Sequence, residues 1–580
     1  MKIILTAINA KYIHSNLAVY SLKAYAKKYA EHIFLAEYTI NQQLDEILMD
    51  IYKKKPDVLC FSCYIWNISY VETLIHEIHK IMPNLPIWLG GPEVSYDAQE
   101  VLRRLPEVRG IVKGEGEETF SEVVSCYIEG KSEDYLREIK GISYRKKDGR
   151  IVENPWREIM DLSRVPFVYE DMEEFKNKII YYETSRGCPF SCSYCLSSID
   201  KCLRFRDLDL VKKELQFFLD NEVPQVKFVD RTFNCKHSHS MEIWRYIAEH
   251  DNGITNFHFE ISADLLNEEE LELLGTMREG LVQLEIGVQS TNPQTIEAIH
   301  RKMDFGKVTE IVNRIAKGRN IHQHLDLIAG LPYEDYASFR RSFADVYALR
   351  PQQLQLGFLK VLRGSFMYEH TKEYDCHYQE REPYEVLYTK WLPYDDVLKL
   401  KDVEEMVEVY YNSGQFVHTL PMIERLYENP FDFFQELGDF YRAKGYSEAA
   451  HNRIQRYEIL LEFLRDEKQQ DEAFFRQMMV LDLYARENMK TRPRFAKDPS
   501  EWKNESRDFY QKEAETRMLL PSYTTYDWKQ LQRMTHVEVF DYDVLGNGEK
   551  ARTVLLFDYQ KRDPLTGNAE MIDCSELFYA

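Results

Sequence analysis

Along roughly the first 125 residues, short apolar runs alternate with stretches whose apolar residues fall three and four apart. KIILTAI, IFLAEYT, DVLCFSCYI, LPIWLGG and GIVKGEG read as buried strands, and LAVYSLKAYAKKY, LDEILMDIYKK and SYVETLIHEIHKIM as the helices that cover them. Such alternation predicts a parallel sheet, here a five-stranded doubly wound domain. A polar stretch follows, with one hairpin predicted to turn at Asp148-Gly149. A second alternation then supplies six more strands, KIIYYETS, PQVKFVD, FHFEIS, LVQLEIGVQS, HQHLDLIAGL and QLQLGFLKV, with helical segments between them. Six strand–helix repeats predict a partial (β/α)6 barrel of the TIM type, with chemistry at the C-terminal strand ends. Beyond about residue 370 the pattern becomes long helical segments and a strand-like tail in which GNGE turns a hairpin. The expected α/β organisation is a Rossmann-like doubly wound domain over residues 1–135, a linker over 136–172, the barrel over 173–370 and a mainly helical domain with a terminal β-hairpin over 371–580.

Length agrees with that division, since 580 residues bury several cores at about 150 residues per domain. A formal net charge of -22 argues against a surface-wide stripe of phosphate contacts, so nucleic acid is not the expected partner. The opening MKIILTAINAKYIHSN turns polar at Lys11, Tyr12 and His14, unlike a signal peptide, and reads as a strand. No run approaches the roughly 20 apolar residues that span a bilayer, so a cytoplasmic protein without membrane contact is expected. There the ten cysteines are thiols or metal ligands rather than disulfides.

Three of them stand together. ETSRGCPFSCSYCLSS places Cys188, Cys192 and Cys195 on one loop just after the first barrel strand. Three thiolates can hold three corners of an iron–sulfur cube and leave one iron open to a ligand. Cys202 follows closely enough to be a fourth ligand, which would make a structural zinc site or a closed electron-transfer cluster, and spacing alone leaves both readings open.

The C-x3-C-x2-C loop, with Tyr194 before its last cysteine and SRGCPF leading in, resembles the signature of radical S-adenosylmethionine (radical SAM) enzymes, and the resemblance runs over roughly residues 173–370. It implies that Cys188, Cys192 and Cys195 ligate a 4Fe-4S cluster, that the remaining iron is chelated by S-adenosylmethionine, and that Tyr194 lies against the adenine. In that family an electron from the cluster cleaves S-adenosylmethionine to a 5'-deoxyadenosyl radical. Asp230, ending the strand in KFVDRTFN, is either an acceptor for the cofactor's amine or an ordinary loop carboxylate. Glu285 and Gln289 fall in phase on one side of LVQLEIGVQS, where polar side chains inside a barrel are costly unless used. That run resembles the family's fourth strand, which contacts the ribose and methionine parts, and DLIAGLPYE, with Ile328, Gly330 and Glu334, resembles the fifth-strand segment beside the adenine.

The first domain's strand ends carry NAKYIHSN, SCYIWN, GGPEVS and GEGEETF, where an open doubly wound sheet takes its ligand. WLGGPEVS followed by GIVKGEGEETF resembles the cobalamin-binding domain that precedes the barrel in one large radical SAM subgroup. The resemblance implies that Ser62, Gly90 and Gly91 line the nucleotide tail of cobalamin, with Glu93 and Glu115 in the matching loops. His14 is out of register with the Asp-x-His-x-x-Gly motif of methionine-synthase-type domains, and is either a cobalt ligand or an ordinary hydrogen-bonding histidine.

Together these resemblances imply a cobalamin-dependent radical SAM enzyme that transfers a methyl group to an unactivated carbon or phosphorus centre of a small-molecule or peptide substrate. Electrons would come from an external donor of the flavodoxin or ferredoxin type. Other members oxidise, cyclise or rearrange their substrates. Methylthiolation of transfer RNA fits less well, because Cys60 and Cys63 sit in an apolar strand as core thiols rather than as cluster ligands, with Cys126 the domain's third cysteine. A non-catalytic redox or cobalamin sensor with a closed cluster is the non-enzyme reading. After the sixth strand, Lys360 and Arg363 in FLKVLRGSF suit an anionic group.

Overall fold

The computed structural model describes residues 1–10, 14–199 and 201–579. Lys11 and Tyr12, read above as ending the opening apolar run, lie outside the described residues. The chain divides into two compact units, the first made of Met1–Ile321, Ile328–Tyr336 and Phe358–Tyr394, the second of His322–Leu327, Ala337–Gly357 and Asp395–Ala580.

The first unit begins with a sheet of β1 (Ile3–Asn9), β2 (Ile33–Thr39), β3 (Val58–Ser62), β4 (Ile87–Gly90), β5 (Val108–Val112), β6 (Ile142–Arg145) and β7 (Ile151–Glu153) in the order β2-β1-β3-β4-β5-β6-β7. The first five are parallel, as expected. Alternate side chains leave opposite faces of a strand, so β1 sends Ile4 and Ile8 into one core and Ile3, Leu5 and Ala7 into another. The helices Leu44–Lys54, Ile68–Ile81 and Ala98–Arg104 cover the first core through Ile51, Leu74 and Val101, while Leu17–Tyr25 and Glu117–Ile128 cover the second through Val19 and Phe120. This is the doubly wound arrangement, with two strands more than expected. The hairpin turning at Asp148-Gly149 forms, and β6 pairs antiparallel with β5 because Ile142 and Tyr144 are apolar enough to enter the second core. Cys60 and Cys63 are buried thiols in opposite cores, and burial pushes Cys60 up to about 12.

The barrel strands of this unit are β8 (Ile180–Tyr182), β11 (Gln225–Phe228), β12 (Asn256–Ile261) and β13 (Val282–Gln289), parallel neighbours in that order. Between β8 and β11 the short strands β9 (Ser185–Arg186) and β10 (Arg204–Phe205) pair antiparallel and bracket the cysteine loop. On β13, Val282, Leu284, Ile286 and Val288 are buried while Gln283, Glu285, Gly287 and Gln289 face the other side. The two remaining predicted strands also form, as β14 (His322–Ala329) and β15 (Gln353–Phe358), followed by the small antiparallel pair β16 (His377–Tyr378) and β17 (Val386–Tyr388).

The second unit is mainly helical, with Pro430–Ala443, Arg453–Asp466, Glu472–Arg486 and Lys503–Thr516 among its longer helices. Its tail is a three-stranded antiparallel sheet, β18 (Thr535–Phe540), β19 (Thr553–Arg562) and β20 (Ala569–Asp573), so the expected hairpin gains a third strand. Trp502, Tyr510, Leu531, Val539 and Leu556 form one core there. Among the described residues, no helix is long and apolar enough to cross a membrane.

Candidate cofactor site

The chain reverses through β9, the cysteine loop and β10. Gly187 makes the reversal possible: its φ of +87° suits glycine, and a Cβ there would lie 2.7 Å from the Cys202 carbonyl oxygen. Cys188 and Cys192 are buried, Cys195 is half-buried and Cys202 is exposed; none is in a disulfide. The loop is pinned on both sides, by Ser193 N–H donating to the Ile299 carbonyl at 2.9 Å and Met367 N–H donating to the Ser193 carbonyl at 2.8 Å. Cys195 N–H donates to the Cys192 carbonyl at 3.2 Å, closing the turn that brings these two ligand candidates together.

Arg301 is the cation of this site, and it has no sequence signature. Its Nη1 reaches Cys192 Sγ at 3.8 Å and Tyr194 Oη at 3.5 Å, while Nη2 donates to the Gly287 carbonyl. A Cβ built on Gly287 would meet Gln289 Nε2 at 2.3 Å and Arg301 Nη2 at 3.5 Å, so Gln289 folds back over the glycine beside the guanidinium. Burial raises the Cys192 thiol, and Arg301 opposes that rise. Arg301 Nε and Gln289 Oε1 are buried with no protein partner. An unpaired buried donor and acceptor beside three thiols call for a polar ligand, because leaving them unmade costs about 1–3 kcal/mol each.

Asp230 sits elsewhere in the same scaffold. It is fully buried, and its oxygens accept from Thr184 N–H at 3.0 Å, Thr184 Oγ1 at 2.6 Å and Ser185 Oγ at 2.6 Å. The carboxylate therefore ties the end of β11 to the chain entering the cysteine loop. Burial raises its pKa. Glu285 accepts from Lys227 Nζ at 2.9 Å and lies 3.0 Å from His258 Nε2, an ion-paired cluster of β11, β12 and β13. Ile328 is half-buried, and Gly330, with φ +86°, would clash through a Cβ with the Val386 side chain at 2.7 Å. Glu334 is buried and accepts from Ser290 Oγ at 2.7 Å.

In the first sheet, Ser62 ends β3 and Gly90 ends β4. Gly91 has φ +112°, and a Cβ there would lie 2.4 Å from the Cys63 carbonyl oxygen, so the glycine answers to the close approach of two strand ends. Glu93 accepts from Tyr384 Oη, and burial raises its pKa. His14 is buried, stacks on Tyr181 of β8 with ring centroids 4.6 Å apart, and places Nδ1 3.1 Å from the Ser15 carbonyl. Ser15 N–H donates to the Ile179 carbonyl at 3.0 Å, so the loop after β1 is fastened to the start of β8.

The loop after β5 reaches the cysteine hairpin. Glu117 accepts from Arg186 Nη2 at 2.5 Å, and Glu115 accepts from Arg186 Nη1 at 3.3 Å and from Arg204 Nη2. Burial disfavours the charge on Glu117, yet the Arg186 guanidinium holds its carboxyl below the usual range. Glu183, which shares Arg186 at 2.9 Å, is raised by burial. Both strands that bracket the cluster loop are thus tied by arginines to carboxylates of the first sheet.

Comparison with known proteins accords with this layout. The B12 binding domain family matches residues 3–124, the Radical SAM superfamily residues 182–346, and a protein family of unknown function, DUF4080, residues 372–557. The chain is 31% identical over 306 residues, 49% of its length, to the 2-(S-pantetheinyl)-carbapenam-3-carboxylate methyltransferase of Streptantibioticus cattleyicolor, of which the match covers 44%. It is 26% identical over 340 residues to the cobalamin-dependent radical SAM methyltransferase TokK of Streptomyces tokunonensis, covering 55% of this chain and 47% of that one. The chain thus spans about half the length of these curated relatives. The cobalamin-dependent S-adenosylmethionine radical enzyme OxsB, solved with aqua-cobalamin bound, shares the fold with a TM-score of 0.57 at 15% identity, over 83% of this chain and 79% of that one. The chain thus carries a match to the B12 binding domain followed by a match to the Radical SAM superfamily, in the order in which the two cofactor sites were read from the sequence.

Proposed function

We propose that the protein is a cobalamin-dependent radical SAM methyltransferase acting on an unactivated carbon or phosphorus centre of a small molecule, with electrons from an external flavodoxin- or ferredoxin-type donor. The observation that carries this reading is the loop of Cys188, Cys192 and Cys195 beside the unpaired Arg301 Nε and Gln289 Oε1, in a chain whose first domain matches the B12 binding family. When bound, the cluster and S-adenosylmethionine supply a carbon radical able to remove hydrogen from an unactivated centre, and cobalamin supplies the methyl group.

The chain's own contribution is to hold and shield. Cys188, Cys192 and Cys195 would ligate the cluster, Arg301 offers N–H to the Cys192 sulfur, and Gln289 with Arg301 offers one free acceptor and one free donor to S-adenosylmethionine. Tyr194, held at Arg301, would lie against the adenine together with Ile328 and Gly330. Asp230 orients the entry to the loop rather than carrying chemistry. Ser62, Gly90 and Gly91 would line the cobalamin crevice at the ends of β3 and β4, with Glu93 set by Tyr384. The Lys227–Glu285 ion pair, with His258 at the same carboxylate, keeps this face of the barrel polar.

Anaerobic purification and reconstitution test the proposal directly. Cluster absorbance, bound cobalamin and reductant-dependent release of 5'-deoxyadenosine are expected together, and Cys192→Ala is expected to lose the first and the third. A protein that binds no cobalamin would sink the methyltransferase reading while leaving the radical SAM barrel intact.

A further inference from the structure

Residues 358–394 of the first unit enclose a cavity of about 700 Å³. Val361 and Tyr384 form its buried wall. Arg363 stands on that wall with its guanidinium fixed: Nη1 donates to Asp97 Oδ2 at 2.7 Å, and the group lies 5.9 Å from the Tyr384 ring centroid. Its Nε–H and Nη2–H have no other partner among the described residues. Tyr368 and Tyr378 face the same space with ring centroids 6.5 Å apart, and Lys372 lines it without an ion pair among the described residues.

The Nε–H and Nη2–H of Arg363, the Lys372 ammonium and the Tyr368 and Tyr378 hydroxyls are hydrogen-bond donors without a protein acceptor among the described residues, while Arg363 Nη1 and the Tyr384 hydroxyl are spent on Asp97 and Glu93. The carboxylates nearby are differently placed. Asp375 is exposed and lies 3.1 Å from His377 Nε2, and Glu380 is exposed. A guanidinium held in one orientation by a carboxylate on one edge presents its remaining N–H groups as a planar fork, the geometry that carboxylate and phosphate oxygens match. An ammonium and two phenols add donors that a neutral ligand would leave unmatched.

Location adds a second argument. Arg363 follows the last barrel strand, at the end where barrels of this type carry their chemistry. Tyr384 on the same wall donates to Glu93 in the loop after β4, where a doubly wound sheet takes its ligand. We propose that this cavity is an anion-binding subsite that takes a carboxylate or phosphate group. On the function proposed above, from which the occupant is inferred, that group belongs to the molecule receiving the methyl and anchors it beside both cofactor domains.

The test is calorimetric titration of the full-length reconstituted protein with two probes, inorganic phosphate and acetate, for wild type, Lys372→Glu and Tyr378→Phe. At least one probe is expected to bind saturably; phosphate alone identifies a phosphate ester, acetate alone a carboxylate. Lys372→Glu should weaken that binding about tenfold or more and Tyr378→Phe by a smaller factor, as expected for a charged and a neutral hydrogen bond. Both side chains lie on the surface or half-buried, so cluster absorbance should be unchanged in the variants. Absence of saturable binding by either probe up to about 20 mM, or equal binding by all three proteins, overturns the proposal. Release of 5'-deoxyadenosine measured on the same preparations reports the cofactor chemistry separately: its failure with anion binding intact counts against the proposed function and not against the subsite.

Discussion

A guanidinium buried beside a thiol stabilises the thiolate and, by donating to sulfur, fixes where that sulfur points. Arg301 does both for Cys192 while its other arm grips the Gly287 carbonyl, so charge and geometry come from one side chain. A charge-assisted hydrogen bond of this kind is worth about 1.5–3 kcal/mol, which corresponds to roughly 10- to 100-fold in an equilibrium. Arg301→Gln should therefore lower iron and sulfide retained per chain after reconstitution and gel filtration, and Arg301→Lys should restore part of it through charge without the fork. Full cluster occupancy in Arg301→Gln would show the contact to be incidental. A second buried residue sets a pH limit. Thr184 Oγ1 gives its only proton to Asp230, so it accepts from His239 Nε2, which lies 3.0 Å away and is N–H-bearing in that arrangement. Burial lowers His239 from 6.5 to about 4, with Lys236 adding to the effect. A base whose folded pKa is depressed stabilises the fold fully above its unfolded value and loses that contribution as pH falls from about 6.5 to about 4, a span worth about 3 kcal/mol. The melting temperature of wild type should accordingly fall more between pH 7 and pH 5 than that of His239→Gln; parallel declines would refute the assignment. The three cysteines were legible because ligand spacing is local in sequence. Arg301 was not, since about a hundred residues separate it from Cys192 and only the fold brings them together.

At the scale of elements, what distinguishes this loop is its bracketing by β9 and β10, each anchored by an arginine. Arg186 and Arg204 reach the Glu115 and Glu117 carboxylates, and Glu117 is almost wholly buried. Removing Glu117 leaves Arg186 to Glu183 and Glu115 and takes away one buried charge-assisted hydrogen bond, worth about 1.5–3 kcal/mol. Glu117→Leu should thus loosen the hairpin locally before it unfolds the chain, and limited proteolysis should cut within residues 187–203 faster than in wild type while the rest of the digestion pattern stays the same. An unchanged cleavage rate there would mean the hairpin stands on its own backbone pairing. Periodicity made most strands readable: the alternation of LVQLEIGVQS appears as β13 with the polar face predicted for Glu285 and Gln289. The turn at Asp148-Gly149 announced the β6–β7 hairpin, but nothing local told that it joins the first sheet, because two short strands with charged residues between them look like a connection until Ile142 and Tyr144 find an apolar core to enter. Periodicity was silent on β9 and β10, which are two residues each and held by long-range ion pairs that no local pattern encodes.

For the whole molecule, the change of pattern near residue 370 suggests a boundary, and a chain cut there should by that reading keep a working barrel. The packing argues otherwise. Residues 337–357 cluster with 395–580, and residues 358–394 with the first unit, so the two units exchange segments of chain. Within the second unit Phe343 packs edge-on against Phe431 and Phe434 at 5.3 and 5.8 Å, Tyr347 donates to Glu424 at 2.6 Å, and Arg340 Nε donates to Asp432 at 2.6 Å. Leu354 of β15 gives its N–H to Asn412 Oδ1 and takes Asn412 Nδ2 on its carbonyl, both at 2.9 Å. A protein truncated after Tyr394 would expose Phe343, Val346 and Tyr347, all buried now, at about 1.5–3 kcal/mol each, and leave Leu354's backbone groups unpaired. That sum is comparable with the 5–15 kcal/mol stability of an ordinary domain. The truncated chain should therefore be recovered as aggregate, or as a soluble species that binds hydrophobic dye and lacks cluster absorbance after reconstitution. The paired substitutions Phe343→Ala and Phe431→Ala in the full-length chain provide the control. Each should destabilise by about 3–5 kcal/mol alone, and together by clearly less than the sum, because both remove the same contact. A truncated protein that is compact, monodisperse and able to release 5'-deoxyadenosine would instead establish that residues 395–580 form a separable module and that the helix Tyr336–Tyr347 needs nothing from them.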